Sequence, residues 1–249
     1  MHILCTNDDG YLAGGLRVLS RAASELGEVS IVAPDREQSA TSHSLTLHHP
    51  LRSRRASDGA LVVDGTPTDC VILAVNALLT RRPDFCFSGV NHGPNMGEDV
   101  LYSGTVAAAM EATVLGIPAV AISYAGTEFT AIESWGEHLR SFLEVAVSRK
   151  AFPEATLLNV NLPPIPPQQV KGIRVTTLGQ RRYSDSLTRA QDPSGREYFW
   201  IGGGNTSWEG GEDSDFHAIN EGYISVTPLK LDLTNHSLIE EIRGWGLAL

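Results

Sequence analysis

Strands and helices alternate at the start of the chain, and this alternation limits the possible folds more than any other feature. Residues 2–7 (HILCTN) and 29–34 (VSIVAP) are apolar runs suited to buried strands. Residues 15–27 (GLRVLSRAASELG) between them have helical spacing and end at a glycine. A strand, a helix and a strand in succession form a βαβ unit, whose two strands are parallel. The pattern predicts an α/β fold with a doubly wound, mostly parallel sheet.

The alternation continues to residue 162. The predicted elements are a strand pair over 43–64, a helix over 65–79, a strand over 84–89, a glycine-rich loop over 89–102, a helix over 103–116, a strand over 118–123, a helix over 130–149 and a strand over 156–162. We expect residues 1–162 to form the main, catalytic domain.

The organisation changes at residues 163–169 (PPIPPQQ), where the proline density predicts extended chain and excludes a helix. Beyond this point the pattern is β-rich and irregular and offers no obvious core of its own. We therefore expect residues 163–222 to form an extension that docks on the main domain or on another subunit, and residues 223–249 to return as a strand and a C-terminal helix to the core or the partner subunit.

The formal net charge of −10 argues against a nucleic-acid polymer as partner, because phosphate contacts need a surplus of Lys and Arg. The one local basic cluster is Arg52, Arg54 and Arg55. No apolar run approaches the roughly 18 residues of a membrane span, and a strand begins too early for a signal peptide, so a cytoplasmic location without membrane contact is expected. The three cysteines have no metal-type spacing and predict buried, reduced thiols.

Two adjacent acids, Asp8 and Asp9, follow the first predicted strand directly and precede Gly10. Neighbouring residues in a strand point to opposite faces, so the two carboxylates can converge only where the strand ends. At that distance they repel each other and raise each other's pKa unless a cation compensates them. A helix-capping Asp beside a solvated Asp is the alternative that the local sequence leaves open.

Three further polar loops follow strands at the same predicted edge, where doubly wound sheets bind ligands. They offer the oxygens of Ser39, Ser42 and Asn91, a set that favours Mg²⁺ or Mn²⁺ over Zn²⁺. For His43 and His92 a structural or solvent-facing role is the better interpretation, and either could instead contact substrate.

A predicted anion site lies next to these oxygens. Asn95 lies in the glycine-rich loop, and Ser103, Gly104 and Thr105 open a helix whose free N–H groups suit a phosphate, although plain N-capping by Ser103 is also possible. A metal beside an anion site indicates a phosphate ester as ligand. The chain has no P-loop motif, no dinucleotide glycine motif and no nucleophile elbow.

Six segments in order resemble the successive motifs of the SurE family. They are ILCTNDDG near residue 3, VAPDREQSATSHSLTL at 32, GTPTDCV at 65, SGVNHGPNMGEDVLYSGTVAAAMEA at 88, NVNLP at 159 and GYISVTPL at 222. The resemblance covers nearly the whole chain and is weakest at 124–155 and 180–215. The stretch YLAGGL departs from the family pattern, which has a proline before the glycine.

The resemblance implies a Rossmann-like main domain with a C-terminal β-hairpin extension used in oligomerisation, as a homodimer or homotetramer. It implies a metal-dependent phosphatase of nucleoside 5′- and 3′-monophosphates, and of short polyphosphate in some members. One Mg²⁺ or Mn²⁺ ion per subunit would be bound by Asp8, Asp9, Ser39 and Asn91. We assign Asp8 and Asp9 as catalytic, with Asp8 the preferred proton acceptor, and Asn95, Ser103, Gly104 and Thr105 to the phosphate.

Two other functions remain open from the sequence. One is a metal-dependent phosphatase of other small phosphoesters, and the other is a nucleotide-binding module without turnover.

Overall fold

A computed structural model describes residues 1–148, 152–183, 187–201 and 206–246. The strands are β1 His2–Thr6, β2 Glu28–Pro34, β3 Ser53–Arg55, β4 Leu61–Val63, β5 Phe85–His92, β6 Ala119–Tyr124, β7 Thr156–Leu162, β8 Ile173–Val175, β9 Gln180–Tyr183, β10 Leu187–Gln191, β11 Glu197–Ile201, β12 Thr206–Glu209 and β13 Ile224–Lys230. The α-helices are α1 Gly14–Ser24, α2 Pro67–Leu73, α3 Gly104–Val114, α4 Gly136–Ser148, α5 Asp215–Asn220 and α6 Ile239–Arg243.

Nine strands form one sheet in the order β3-β4-β2-β1-β5-β6-β7-β13-β8. The six strands from β4 to β7 are all parallel, whereas β3 and β13 run antiparallel to β4 and β7. The predicted α/β class with a mostly parallel sheet is therefore confirmed. Chain order reverses between β1 and β5, and open α/β sheets bind ligands beyond the carboxyl ends of the strands at such a switch point.

Two apolar cores lie on opposite faces of the sheet. One face packs against α1 and α4, with Trp135 and Phe87 among its largest fully buried side chains. The other packs against α2 and α3. Helix α3 is buried almost all round because its small residues let it lie close to the sheet and to α2, so its amino end is firmly fixed at the sheet edge.

Several predicted boundaries were wrong. Of residues 43–64, only Ser53–Arg55 and Leu61–Val63 are strands, because Ser44, Thr46 and their neighbours bond to α2 and its cap instead. The predicted helix over 130–149 begins as a 3₁₀ turn, Phe129–Trp135, and its last predicted residue, 149, lies outside the described residues. Residues Pro167–Gln169 form a 3₁₀ turn, since proline's fixed φ suits a helical first turn even in an otherwise extended stretch.

The segment after the prolines contributes to the main sheet and also forms two small antiparallel pairs. Strands β8 and β13 join the sheet edge, whereas β10 pairs with β11 and β9 with β12. The predicted C-terminal hairpin is thus present. The division into residues 1–162, 163–222 and 223–249 and the use of the hairpin in oligomerisation stay predictions.

No helix in the described part of the chain is long and apolar enough to cross a membrane. The cysteines Cys5, Cys70 and Cys86 are free and buried, as predicted, and burial raises the pKa of each thiol.

Candidate functional site

The first strand delivers Asp8 to the amino end of α3. The Asp8 carboxylate accepts hydrogen bonds from both the backbone N–H of Thr105, at 3.0 Å, and the Thr105 hydroxyl. A carboxylate at this position also interacts favourably with the positive end of the helix dipole. Asp8 is 4% exposed, and burial raises its pKa to about 6 against the opposing effect of the Thr105 bonds.

Asp9 lies beside the end of β5. One of its carboxylate oxygens accepts the backbone N–H of His92 at 3.1 Å. Burial raises the pKa of Asp9, and the nearby Glu37 raises it further, while His92 lowers it. Asp9 also raises the pKa of Asp8, so each acid sits in an environment that disfavours its charge. The repulsion expected from the sequence is thus seen at Asp8, whereas the pKa of Asp9 is shifted by its burial, His92 and Glu37.

Gly10 turns the chain away directly after the two acids. Its φ of +93° lies in the region that glycine adopts most readily, and an added Cβ would lie 3.2 Å from the backbone of Arg36. The Asn7 side chain donates to the Gly10 carbonyl at 3.0 Å and closes the turn. The strand therefore ends just before the two acids, as convergence of their carboxylates requires.

The loop after β2 brings Ser39 to the same place. The backbone N–H of Gln38 donates to the Asp8 carbonyl at 2.7 Å, which docks the loop on the strand end. The Ser39 hydroxyl donates to Glu37 Oε1 at 2.6 Å. Because its hydrogen is used in this way, the Ser39 oxygen keeps its lone pairs for a cation.

Asn91 lies near the end of β5, after a shift in the pairing of β5 with β6 between Ser88 and Asn91. Its amide nitrogen donates to the Gly93 carbonyl at 2.9 Å. The amide oxygen is thus the group of Asn91 that is available for a cation.

Asn95 is held at the cavity wall by groups from two neighbouring strands. Its side-chain nitrogen donates to the Ser123 hydroxyl at 2.8 Å, and its backbone bonds to the side chains of Asn159 and Asn161. Asn95 is 7% exposed.

The start of α3 binds Asp8 and contains its own N-cap. Ser103 is the N-cap and accepts the backbone N–H of Val106 at 3.1 Å, so the capping role that the sequence allowed is present. An added Cβ on Gly104 would lie 2.8 Å from Asp8 Cβ, which explains why this position has no side chain. Thr105 points both of its donors at Asp8.

A cavity of about 540 Å³ collects most of the predicted residues. Its lining is Asp8, Ser39, Ala40, Asn91, His92, Pro94, Asn95, Asp99, Tyr102, Ser103 and Ile201. Sequence reasoning missed Asp99, Tyr102 and Ile201. The first two lie in the recognised glycine-rich segment, where proximity to the motif was the available signal, whereas Ile201 comes from β11 and the sequence carried no sign that the hairpin reaches the site.

Four predicted site residues do not line this cavity: Asp9, Gly104, Thr105 and His43. His43 Nε2 lies 2.7 Å from Glu111 Oε2, two turns along α3 from the cavity. The predicted substrate contact of His43 stays a prediction.

A second cavity, of about 590 Å³, lies at the opposite end of the parallel strands. It is lined by strand beginnings, including His2, Glu28 and Leu61. None of the predicted site residues is there. The carboxyl-edge cavity is therefore the candidate site, in agreement with the rule for open α/β sheets.

The donor set at this site suits a hard divalent cation. Within the described ranges, no three His, Cys, Asp or Glu side chains cluster as metal ligands, so a cation here would depend on two carboxylates and neutral oxygens. Asp8, Asp9, Ser39 and Asn91 provide that combination. A cation would also offset the negative charge of Asp9, which is one cause of the raised pKa of Asp8. The residues fit the predicted ion.

The fold and the site define an α/β protein whose small-ligand cavity lies at the switch point of a mostly parallel sheet, with acidic oxygens beside a helix amino end. Comparison with known proteins identifies one family within this class. A family model described as "Survival protein SurE" matches residues 3–185. The chain belongs to the SurE family.

Individual relatives match over almost the full length. A Gemmatimonas aurantiaca protein named "5'-nucleotidase SurE" is 59% identical over 248 residues, which cover 98% of each chain. A Methylococcus capsulatus protein of the same name is 48% identical over 98% of this chain and 97% of that one. The crystal structure of the SurE protein from Aquifex aeolicus is similar with a TM-score of 0.86 at 40% identity, covering 98% of this chain and 99% of that one.

Proposed function

We propose that the chain is a metal-dependent 5′-nucleotidase that hydrolyses nucleoside 5′- and 3′-monophosphates to nucleoside and phosphate, and that also accepts short-chain polyphosphate. The observation that carries the proposal is the convergence of the buried Asp8 carboxylate, the oxygens of Ser39 and Asn91 and the amino end of α3 on one cavity, with the second acid, Asp9, next in the chain. The names of the full-length relatives support the activity. The cavity, at about 540 Å³, is large enough for a small phosphoester.

Asp8, Asp9, Ser39 and Asn91 would hold one Mg²⁺ or Mn²⁺ ion. When bound, such an ion supplies positive charge against the phosphate oxygens and makes water more acidic. The Thr105 contacts fix the Asp8 carboxylate at the cavity wall, the His92 N–H binds the Asp9 carboxylate, and Glu37 orients the Ser39 hydroxyl.

The phosphate would lie between these oxygens and the start of α3. The positive end of the helix dipole lies there, at Ser103, Gly104 and Thr105. The Thr105 donors bond to Asp8 and would therefore act on the phosphate through Asp8. Asn95 would contact a phosphate oxygen with its amide. These groups are fixed before substrate arrives, so little reorganisation is needed as charge shifts in the transition state. Asp8 is our preferred proton acceptor because it lies nearer the strand end than Asp9.

The hairpin and the fold fit a proposed homodimer or homotetramer with a Rossmann-like main domain. On β11, Phe199, Trp200 and Ile201 are 52%, 67% and 88% exposed. A run of exposed large apolar side chains on a hairpin outside the main sheet is typical of an interaction surface. We propose that a second copy of the chain covers it.

The experiment that tests the function compares relative kcat/KM for a panel of phosphoesters. The panel holds purine and pyrimidine 5′- and 3′-monophosphates, a sugar phosphate and a short polyphosphate, each with Mg²⁺ and with Mn²⁺. The proposal predicts the highest values for nucleoside monophosphates. Preference for the sugar phosphate would favour a different phosphatase, and nucleotide binding without phosphate release would contradict an enzyme.

A further inference from the structure

Asn95 lies in a loop, yet four hydrogen bonds join it to two strands of the sheet. Its backbone N–H donates to Asn161 Oδ1 at 2.9 Å, and its carbonyl accepts from Asn161 Nδ2 at 3.0 Å and from Asn159 Nδ2 at 2.8 Å. Asn159 and Asn161 are two residues apart on β7 and therefore point to the same face of the sheet. One strand thus binds the backbone of residue 95 at three points.

The side chain of Asn95 is held separately, by β6. Its Nδ2 atom donates to Ser123 Oγ at 2.8 Å, and Ser123 pairs with Asn161 in the register of β6 and β7. Ser123, Asn159 and Asn161 are all fully buried. A buried polar group is expensive to leave unpaired, so the amide of Asn95, a residue that lines the cavity, has one favoured orientation.

We infer that Ser123 and Asn161 are positioning residues for the phosphate side of the site, acting through Asn95, an inference that rests on the proposed function. Neither residue lines the cavity. Both fix a polar group that does, and a displacement of about 1 Å in such a group can cost a hundredfold in rate. Strands β6 and β7, which do not line the cavity, thereby set the geometry of a loop residue that does.

A double-mutant cycle tests whether Ser123 acts through Asn95. The four chains are the wild type, Ser123→Ala, Asn95→Ala and the double variant. The readouts are kcat and KM for phosphate release from AMP with saturating Mn²⁺, and the affinity for inorganic phosphate in the presence of Mn²⁺. Ser123→Ala is expected to lower kcat by roughly tenfold and to weaken phosphate binding. In the Asn95→Ala background it is expected to have almost no further effect.

Ser225→Ala is the matched control. Ser225 is also fully buried in the same sheet, and its hydroxyl bonds to Thr176 at 2.9 Å, away from the cavity. The two serine variants should shift the urea midpoint similarly, but Ser225→Ala should keep kcat and phosphate affinity. Direct Mn²⁺ affinity should stay unchanged in both, because neither serine touches the two acids.

A second variant covers the case in which Ser123→Ala fails to fold. Asn161→Asp keeps the oxygen that accepts the Asn95 N–H and removes the donor to the Asn95 carbonyl. Like Ser123→Ala, Asn161→Asp should lower kcat and weaken phosphate binding. In the Asn95→Ala background it should change neither quantity further.

Additive effects in the cycle, or wild-type kcat and phosphate affinity in Ser123→Ala, would overturn the inference while leaving the proposed function standing. If the wild type releases no phosphate from AMP, the proposed function fails and the phosphate-affinity cycle still decides the inference. A wild type that neither releases nor binds phosphate overturns both.

Discussion

Thr105 is the residue whose role the structure changes most. Its amide and hydroxyl both bond to the Asp8 carboxylate, whereas the sequence had assigned Thr105 to the phosphate. A motif shows which residues share a site but not which of them contact each other. Direct phosphate contact by Thr105 stays a prediction, and its interaction with Asp8 is the observed one.

Thr105→Val should therefore impair activity through Asp8. Valine keeps the branched shape and the backbone N–H but removes one hydrogen bond to a charged group, worth about 1.5–3 kcal/mol. We expect kcat/KM for AMP to fall roughly ten- to hundredfold. Thr113→Val on the same helix is the control, because that hydroxyl bonds only a carbonyl of its own helix, Ala109, at 2.8 Å. Equal activity in both variants would argue against a role for the Thr105 hydroxyl.

Gly104 and Gly136 form a matched pair at the first position of two helices. An added Cβ on Gly104 would lie 2.8 Å from Asp8 Cβ, whereas one on Gly136 meets nothing within 4 Å. Gly104→Ala should displace Asp8, lower the free energy of unfolding by about 1–3 kcal/mol and abolish most phosphate release. Gly136→Ala should be neutral or slightly stabilising. Urea titration measures the stability of both variants, and the AMP assay measures their activity. An active Gly104→Ala variant would contradict the close packing of Gly104 against Asp8.

The candidate residues could be predicted from the sequence because their residue types and positions are distinctive. Two adjacent acids follow a strand, and Ser-Gly-Thr begins a helix. Asp8, Ser39, Asn91, Asn95 and Ser103 do line one cavity. The contacts among them could not be predicted, since they depend on loop geometry. The pairing of His43 with Glu111 joins residues 68 positions apart and has no local signal.

At the level of elements, Asp215 joins three segments that are distant in sequence. At the start of α5, its carboxylate accepts backbone N–H groups of Gly97 at 2.8 Å, Gly179 at 2.9 Å and Phe216 at 2.8 Å. Gly97 begins the 3₁₀ turn that ends beside the cavity, and Gly179 immediately precedes β9. The hairpin base and the site loop are thus held by one buried acid.

Asp215→Asn should destabilise the chain by about 1–3 kcal/mol, because an amide NH₂ replaces one accepting oxygen and faces a backbone donor. Burial raises the pKa of Asp215 despite its three donors. A carboxyl with a raised folded-state pKa stabilises most when protonated, and that contribution is lost as pH rises through the folded-state pKa. The gap in urea midpoint between wild type and variant should therefore widen as pH falls from about 7 to about 4. A gap that narrows would contradict the raised pKa.

Long periodic elements were the predictable part of the fold. The first βαβ unit and α3 follow from apolar spacing and small-residue content, and the structure has them close to their expected bounds. Short edge elements were not predictable. Residues 44–50 alternate like a strand, but α2 and its capping box use their backbone groups, through Asp69 to Thr46 and Thr66 to Ser44. Tertiary contacts thus overrode local pattern.

For the molecule as a whole, the exposed apolar side chains of β11 predict assembly. Alternation places Tyr198 and Trp200 on the face opposite Ile201, which lines the cavity. Tyr198→Ser combined with Trp200→Ser should therefore weaken assembly without altering the cavity wall. Light scattering should show a dimer or tetramer for the wild type and a smaller species for the double variant. Val145→Ser, at a 54% exposed position on α4, is the control. A monomeric wild type would contradict the proposal.

The central claim is that Asp8 and Asp9 form a cation-dependent phosphatase site. Release of inorganic phosphate from 5′-AMP tests it most directly, measured for the wild type, Asp8→Asn and Asp9→Asn with Mn²⁺ and again with excess chelator. The account predicts rapid release only for the wild type with Mn²⁺, and cooperative unfolding for all three chains. Full activity in either variant, or undiminished wild-type activity in chelator, would contradict it.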